Sequence, residues 1–160
     1  MILTARPPDW DTVVPLPPGV GELLTALVQD GFVRCCCGHL ADPDLLLAYY
    51  EWPDFLDLVT IRTFERITAA RVPRPAGGRV DVFDPQRVVW AYEGPAEPTL
   101  RALLTLVHPA HPSAPTSAVA APPALRVPRE DQRPVRIRMP EPERRNARAT
   151  RLGQQLIAGM

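Results

Sequence analysis

Lysine is absent from this 160-residue chain, and every basic side chain except histidine is arginine. Schiff-base chemistry, a lysine general base and the lysine of a phosphate-binding loop are therefore excluded. Only two serines occur, Ser113 and Ser117, and both lie in a stretch rich in proline and alanine. A serine nucleophile must be held rigidly beside a base, so Ser-His-Asp hydrolysis is not expected. The arginine bias is typical of a GC-rich genome, and we expect a bacterial protein.

Long apolar segments are also missing. The longest apolar run covers residues 45–50, far short of the ~20 residues that span a bilayer. Residues 1–10 lack the apolar core of a secretion signal. The three cysteines are adjacent, at 35–37, which gives no disulfide framework and fits a reducing compartment. These features predict a cytoplasmic protein that does not act on membranes.

Proline is abundant, with 21 residues, and its distribution divides the chain. Five prolines lie in residues 1–18 and nine in 109–142, against seven in the 90 residues between these segments. Dense proline favours extended chain over packed helices and sheets. We therefore predict a Pro-rich extension over 1–18, a folded domain over 19–108, a Pro/Ala/Arg-rich linker over 109–140 and a basic amphipathic helix over 141–160.

Apolar residues recur at helical spacing in two segments of the predicted domain. The first predicts a helix from Val20 to Asp30, and the second a helix from about Ala96 to Val107. Between them, apolar and β-branched residues separated by turn signals predict four strands. The predicted strands cover residues 32–39, 45–52, 56–67 and 87–92.

The connections between the first strands are short, which favours antiparallel pairing. The predicted fold class is therefore α+β, with a small, mostly antiparallel four-stranded sheet in the order α-β-β-β-β-α. Both helices are expected on one face of the sheet. A tail rich in proline and arginine comes after them, and it ends in a short helix.

The run Cys35-Cys36-Cys37-Gly38-His39 combines the donors that zinc prefers. On a strand, Cys35, Cys37 and His39 project to one face. The spacing departs from that of a zinc knuckle, which needs two residues between its cysteines, and there is no second cysteine pair. We therefore favour small buried side chains here, and assign no cofactor. Cys35, Cys37 and His39 remain the metal-ligand alternative.

Acidic residues cluster between positions 42 and 57. Paired carboxylates suit a hard cation or acid–base chemistry. Several of these acids adjoin turn prolines, where aspartate is ordinary. The enzyme alternative uses His39 with Asp42 or Glu51. The acidic residues are Asp42, Asp44, Glu51, Asp54 and Asp57.

Aromatic residues are few but occur in two predicted strands. Tyr50 and Trp52 lie in the second strand, and Trp90 and Tyr92 lie in the fourth. If these strands are neighbours, the rings share a face and form a surface for a partner. Packing within the core is the alternative.

Arginine is concentrated toward the end of the chain. Residues 1–125 hold nine arginines against fourteen acids, whereas residues 126–160 hold nine against four. Arginine-rich segments bind phosphate backbones, so nucleic acid is one candidate partner of this tail. The predicted terminal helix adds a narrow apolar stripe of Ala149, Leu152 and Leu156.

That stripe supports a second hypothesis for the tail. A basic helix with an apolar stripe can dock on the acidic body of its own chain or of a second copy. Exposed ion pairs alone contribute little, so the apolar stripe must add to them. We expect such docking over an acidic surface near Asp54 and Asp57.

The sequence therefore predicts a non-catalytic cytoplasmic binding or regulatory module that acts through protein–protein contacts. A nucleic-acid-associated protein using the arginine-rich tail is the second hypothesis, and a small enzyme using His39 is the third. A second copy of the chain is a further candidate partner. The predicted partner-binding residues are Tyr50, Trp52, Trp90, Tyr92, Arg144, Arg145, Arg148 and Arg151.

Overall fold

The computed structural model describes residues 19–40, 43–75 and 78–158. The predicted extension over 1–18 and the candidate residue Asp42 lie outside this part of the chain. The helices are α1 (Val20–Gln29), α2 (Ala96–Thr105) and α3 (Ala147–Ala158). The strands are β1 (Val33–Gly38), β2 (Pro43–Glu51), β3 (Phe55–Thr63), β4 (Arg66–Pro73), β5 (Arg87–Val88), β6 (Trp90–Gly94), β7 (Val119–Ala120) and β8 (Pro134–Arg138).

The described strands form one six-stranded sheet in the order β6-β4-β3-β2-β1-β8 and a small pair, β5-β7. Every pairing among them is antiparallel. The α+β class and the mostly antiparallel sheet are therefore confirmed. The predicted count of four strands is wrong, because the main sheet has six.

The miscount arises at three places. The predicted strand over 56–67 is a hairpin, β3 and β4, whose turn at Phe64 and Glu65 contains none of the residues that usually mark turns. The predicted strand over 87–92 divides at Val89 between β5 and β6. Strand β8 comes from the segment predicted as a linker, because proline is compatible with an edge strand.

The three helices pack on one face of the sheet. Leu27 of α1, Leu103 of α2 and Leu152 of α3 are buried in a single apolar cluster with side chains from the strands. Because side chains alternate along a strand, Cys36 faces this cluster while Cys35 and Cys37 face away from it. The helices therefore cover one face, as predicted.

The opposite face is covered by the segment after α2. Leu125, in a single 3-10 turn over Pro123–Leu125, and Val127 are buried against this face. The Arg62 guanidinium holds the turn by donating to the carbonyls of Ala124, at 2.7 Å, and Arg126, at 2.8 Å. Prolines fit such turns without breaking a ladder of hydrogen bonds, so this Pro-rich segment packs on the body.

A glycine just after α1 brings the end of that helix close to the C-terminal segment. Gly31 has a φ of 92°, which favours glycine, and its amide donates to the carbonyl of Val28 at 3.1 Å. A Cβ at position 31 would overlap the carbonyl oxygen of Arg144. This close approach places Asp30, at the C-terminus of α1, beside the segment that leads into α3.

Candidate functional site, a buried charge network under the C-terminal helix

A polar row crosses the helix-covered face of the sheet. In the strand register, Asp57 lies opposite Tyr50 on one side and opposite Arg71 on the other, and Trp90 lies opposite Arg71. Directly opposed residues of antiparallel strands project to the same face. The sheet therefore places an aspartate and an arginine side by side in the middle of its apolar face.

Asp57 is fully buried and accepts hydrogen bonds on both carboxylate oxygens. Arg71 donates through Nε to Oδ1 at 2.7 Å and through Nη2 to Oδ2 at 3.0 Å. Trp52 Nε1 donates to Oδ2 at 2.9 Å. Arg71 also donates to the carbonyl of Val107 at 2.8 Å, which ties β4 to the end of α2. The bidentate geometry is the strong form of an arginine–carboxylate pair.

Helix α3 inserts a second arginine into this site. Arg148 has no exposed side-chain surface, and its guanidinium lies between two carboxylates. It donates to Asp57 Oδ2 from Nε at 3.1 Å and to Asp30 Oδ2 from Nη1 at 3.0 Å. Its Nη2 donates to the carbonyl of Leu103 at 2.8 Å, so one side chain joins all three helices and the sheet.

Arg151 closes the network at its outer end. Its guanidinium donates to Asp30 Oδ1 at 2.9 Å and to Asp30 Oδ2 at 2.6 Å, and to the carbonyl of Leu104 at 3.0 Å. A carboxylate at a helix C-terminus is repelled by the negative end of the helix dipole. Two arginines from α3 compensate that carboxylate. We call Asp30, Asp57, Arg71, Arg148 and Arg151 the buried charge network.

The network controls the pKa of Asp57. Burial alone would raise this pKa, but the charges of Arg148 and Arg71 and the hydrogen bonds from Arg71 and Trp52 outweigh burial and lower it below the ordinary value. Asp57 is therefore ionised at neutral pH. A buried ionised carboxylate is tolerated only while it is paired, so the site depends on α3.

The structure confirms that the C-terminal helix docks on the folded body. Besides the two arginines, the backbone amide of Ala149 donates to the Tyr50 hydroxyl at 3.2 Å, and Leu152 is buried in the apolar cluster. Arg148 pairs with Asp57, near which docking was expected, but Asp57 is fully buried and does not belong to an acidic surface. Asp54 is exposed, and none of these α3 contacts involves it.

The predicted partner-binding residues occupy different environments. Tyr50 and Trp52 are buried in the apolar cluster, where their rings lie 5.0 Å apart. Strand β2 is separated from β6 by β3 and β4, so the condition for a shared aromatic surface, that the two strands are neighbours, is not met. Trp90 and Arg151 are partly buried and Arg148 is fully buried. The exposed members of the set are Tyr92, Arg144 and Arg145.

The cysteine run behaves as a strand with small side chains on both faces. All three cysteines are buried, and the Sγ atoms of Cys35 and Cys37 lie 3.8 Å apart. The hydrogen bond between these thiols and their burial raise the pKa of Cys35 above its ordinary value. His39 is exposed beyond the end of β1. Within the described residues, no group of three or more His, Cys, Asp or Glu side chains is placed to hold a metal ion.

Of the enzyme hypothesis, the pair of His39 and Glu51 is not brought together, whereas Asp42 lies outside the described residues. His39 comes directly after Gly38, which pairs with Pro43, whereas Glu51 lies at the far end of β2, beyond the pairing of Val33 with Tyr49. The two side chains therefore lie at opposite ends of the β1–β2 hairpin.

No described helix is long and apolar enough to cross a membrane.

Two open hollows on the described part of the surface adjoin charged residues. One, of about 490 Å³, lies beside the ends of β4 and β5 and is lined by arginines, aspartates and prolines. The other, of about 400 Å³, lies between α1 and the approach to α3 and includes Asp30 and Arg151. Asp57 and Arg71 line neither hollow. The fully buried pair is therefore closed off from both of these surface hollows.

Two members of the network were not predicted as site residues, although each carries a signal. Asp30 combines an acid with a helix C-terminus, which calls for a nearby cation. Arg71 lies within the buried part of β4, where a charged residue needs a partner.

No protein-family model, curated protein or solved structure matches this chain.

Proposed function

We propose that this protein is a non-catalytic binding module that acts through protein–protein contacts, with strand β8 as its principal contact surface. The observation that carries the proposal is the exposure of β8. Strands β8 and β6 are the two edges of the main sheet, and among the described strands β8 pairs only with β1. Three large apolar side chains are exposed on and just after it: Val135 by 45%, Ile137 by 60% and Met139 by 62%.

An exposed sheet edge can pair with a strand from another protein. Its outer backbone groups provide the hydrogen bonds, and its alternate side chains provide specificity. Pro134 begins β8 and Pro140 lies shortly after its end, and proline limits how far pairing can extend. The edge is therefore suited to a short partner strand rather than to open-ended aggregation.

The burial of Asp57 and Arg71 also supports binding over catalysis. Asp57 and Arg71 are paired with each other, are completely buried and lie away from both hollows. A catalytic group must be within hydrogen-bonding reach of its substrate. The Asp57–Arg71 pair therefore suits a structural role, in which it holds Arg148 and with it α3 on the body.

The same contacts weigh against the nucleic-acid hypothesis. Arg148 and Arg151 neutralise Asp30 and Asp57 and are not available to phosphates while α3 is docked. Tyr92 is exposed, but it lies in β6, at the opposite edge of the sheet from β8. Helix α3 therefore has little positive charge left for phosphates. Among the described residues, no exposed aromatic ring lies beside it for base stacking.

A site-specific crosslink tests the proposal. A photoreactive residue at Met139 is introduced in the source cell, alone and together with Ile137→Asp, which adds charge to the exposed strand. We expect a discrete protein adduct that Ile137→Asp removes. The matched control is Val119→Asp, at an exposed apolar position of β7, which leaves the adduct unchanged. The proposal fails if no adduct forms, if Ile137→Asp leaves it intact, or if nuclease removes it.

A further inference from the structure

Two thiols of β1 lean toward each other on the face of the sheet opposite the helices. Cys35 and Cys37 both belong to the apolar cluster of that face, and their Sγ atoms lie 3.8 Å apart. Two positions along a regular strand are separated by about 6.7 Å, so the sulfurs are closer than the backbone positions that carry them. Cys36, between them, is buried on the helix side. Strand β1 therefore holds a pair of sulfur donors and keeps its third thiol apart from them.

The backbone around Cys37 is irregular on both sides. The pairing of β1 with β8 shifts register between Cys36 and Cys37, and its pairing with β2 shifts between Cys37 and Gly38. Such irregularities turn a side chain away from its regular direction. A backbone hydrogen bond from Arg133 favours the thiolate of Cys37, and the carbonyl of Arg133 accepts from the Gly38 amide at 3.0 Å. The thiolate is the form of cysteine that binds metals.

A bridging metal ion fits this pair better than a disulfide does. A disulfide needs Cβ atoms about 3.8 Å apart, whereas residues two apart on a strand project in parallel from backbone positions about 6.7 Å apart. With metal–sulfur bonds of about 2.3 Å, the value for zinc, a linear sulfur–metal–sulfur unit needs about 4.6 Å between the sulfurs. Small rotations of the two side chains supply the difference from the observed 3.8 Å.

The number and type of ligands select the class of cation. Among residues 19–40, 43–75 and 78–158, no His, Cys, Asp or Glu side chain adds a third ligand to this pair. Structural zinc takes four ligands, and iron–sulfur clusters are held by four cysteines. Copper(I) is soft, prefers thiolates and accepts two of them in a line. Leu47, Leu125 and Val127, in the same apolar cluster, limit the access of water to such a site.

We infer that Cys35 and Cys37 form a two-coordinate thiolate site for a soft monovalent cation, copper(I). Binding forms two metal–sulfur bonds and releases the protons of the two thiols. The single negative charge of the complex is spread over two polarisable sulfurs, and the hydrogen bond from Arg133 stabilises it. The cation enters at Cys35, because 5% of this residue is exposed and it lies opposite Ile137 of the edge strand β8.

Titration of the reduced full-length chain with copper(I) tests the site. Ascorbate and the exclusion of oxygen keep the metal reduced, and bicinchoninate competes for it and reports the unbound fraction. We expect one copper(I) per chain. Cys35→Ser and Cys37→Ser should each lower the affinity at least about a hundredfold, since even the outer partners of metal ligands are worth 10–100-fold. The matched control is Cys36→Ser, the same change in the same strand on the opposite face, which leaves the affinity unchanged.

Two measurements on the unsubstituted protein remain decisive if a serine variant does not fold. X-ray absorption of the copper(I)-loaded chain counts the neighbours of the metal, and we expect two sulfurs. Copper(I) should also raise the melting temperature, because a ligand that binds the native state stabilises it.

Several outcomes overturn the inference. They are no binding of copper(I), three or more neighbours of the metal, or an equal loss of affinity in Cys36→Ser. A lower melting temperature with copper(I) shows that the metal binds the cysteine run of the unfolded chain instead of the folded pair. Tighter binding of zinc(II) than of copper(I) assigns a different class of ion. The crosslink at Met139 tests the proposed function of β8 separately, so either proposal can fail without the other.

Discussion

Arg148 and Asp57 are 91 residues apart in the chain, yet Arg148 Nη2 lies 3.0 Å from Asp57 Oδ2 and neither side chain is exposed. The pair joins the C-terminal helix to the centre of the sheet. Because Asp57 is also held by Arg71, and Arg148 also by Asp30, the contact is one link of a continuous network rather than an isolated ion pair. Such networks are sensitive to the loss of any single member.

Replacing Arg148 should strongly destabilise the protein. Arg148→Met retains much of the side-chain length but leaves Asp30 short of a partner and removes one of the two cations at Asp57. Breaking a buried pair on one side costs about 3–5 kcal/mol, so the free energy of unfolding in urea should fall by about that amount. Arg145→Met, at an exposed position, should change it by less than ~0.5 kcal/mol. Similar effects of the two substitutions would contradict a structural role for the network.

Acid should weaken the fold through Asp57. The pKa of Asp57 is below its ordinary value in the folded protein, so the carboxylate stabilises the fold above the unfolded-state pKa of about 4. That stabilisation is lost as the pH falls below about 4 toward the folded-state pKa. The free energy of unfolding should therefore decrease as the pH is lowered from about 5 to about 2. A carbon-13 titration of the Asp57 carboxyl with a midpoint at or above ~4 would refute the lowered pKa.

Two glycines near α3 should respond in opposite directions to alanine. At Gly31 an added methyl group meets the backbone of Arg144 and the φ of 92° is strained for alanine, so Gly31→Ala should lower the melting temperature and displace α3. At Gly153, within α3, a Cβ meets nothing within 4 Å. Gly153→Ala should stabilise the protein by roughly 0.5–1 kcal/mol. Thermal melts of both variants check the pair, and stabilisation by Gly31→Ala would show that the close approach is not required.

The hydrogen bonds from Arg62 to the carbonyls of Ala124 and Arg126 should protect the Pro-rich segment from protease. Leu125 and Val127 are buried on either side of the trypsin site at Arg126, and Arg62 holds the carbonyl of Arg126. Arg62→Ala should therefore accelerate cleavage after Arg126 by roughly tenfold, because hydrogen bonds from a charged donor are lost. Mass spectrometry of timed digests measures the rate.

The control for Arg62→Ala is Arg66→Ala. Arg66 forms an exposed ion pair with Glu93, which contributes little to stability. Its loss should leave the cleavage rate at Arg126 unchanged. Rapid cleavage after Arg126 in the unmodified protein would show instead that the segment is open, as extended proline-rich chains usually are.

The cysteines should react slowly with thiol reagents. Cys35, Cys36 and Cys37 are buried, and the raised pKa of Cys35 reduces the thiolate form, which is the reactive one. We expect at most one thiol to react quickly with a disulfide reagent in the native protein. All three should react after unfolding in guanidinium. Fast reaction of two or more native thiols would contradict the packing of β1.

Local sequence signals predicted the first two helices closely, whereas the terminal helix predicted over 141–160 begins only at Ala147, after a 3-10 turn over Pro142–Arg144. Apolar spacing placed α1 and α2 within two residues of their observed ends, because a helix that packs on one side must repeat its apolar residues at that period. The proline-rich segment was harder to interpret. Proline density indicated extended chain, but it could not show that Leu125, Val127 and β8 pack on the sheet, since that depends on contacts distant in sequence.

The buried charge network was predicted only in part. The stripe of apolar residues and the arginines of the terminal helix indicated docking, and Asp57 was expected as part of the anchor. Asp30 and Arg71 were not. Their pairing depends on strand register and on the closeness of Gly31 to Arg144, and one-dimensional spacing contains neither. Composition could not reveal that Tyr50 lies beneath α3 either.

Asp30 also has a consequence for biosynthesis. Its ion-pair partners in the described structure are Arg148, 118 positions later, and Arg151, 121 positions later. At a translation rate of 5–20 residues per second, the ribosome needs about 6–24 s to produce the first of these arginines after Asp30. During that interval the Asp30 carboxylate lacks both of these arginines, and the apolar cluster that packs α1 and α2 on the sheet lacks Leu152. The charge network therefore closes only after every described strand of the sheet has been synthesised.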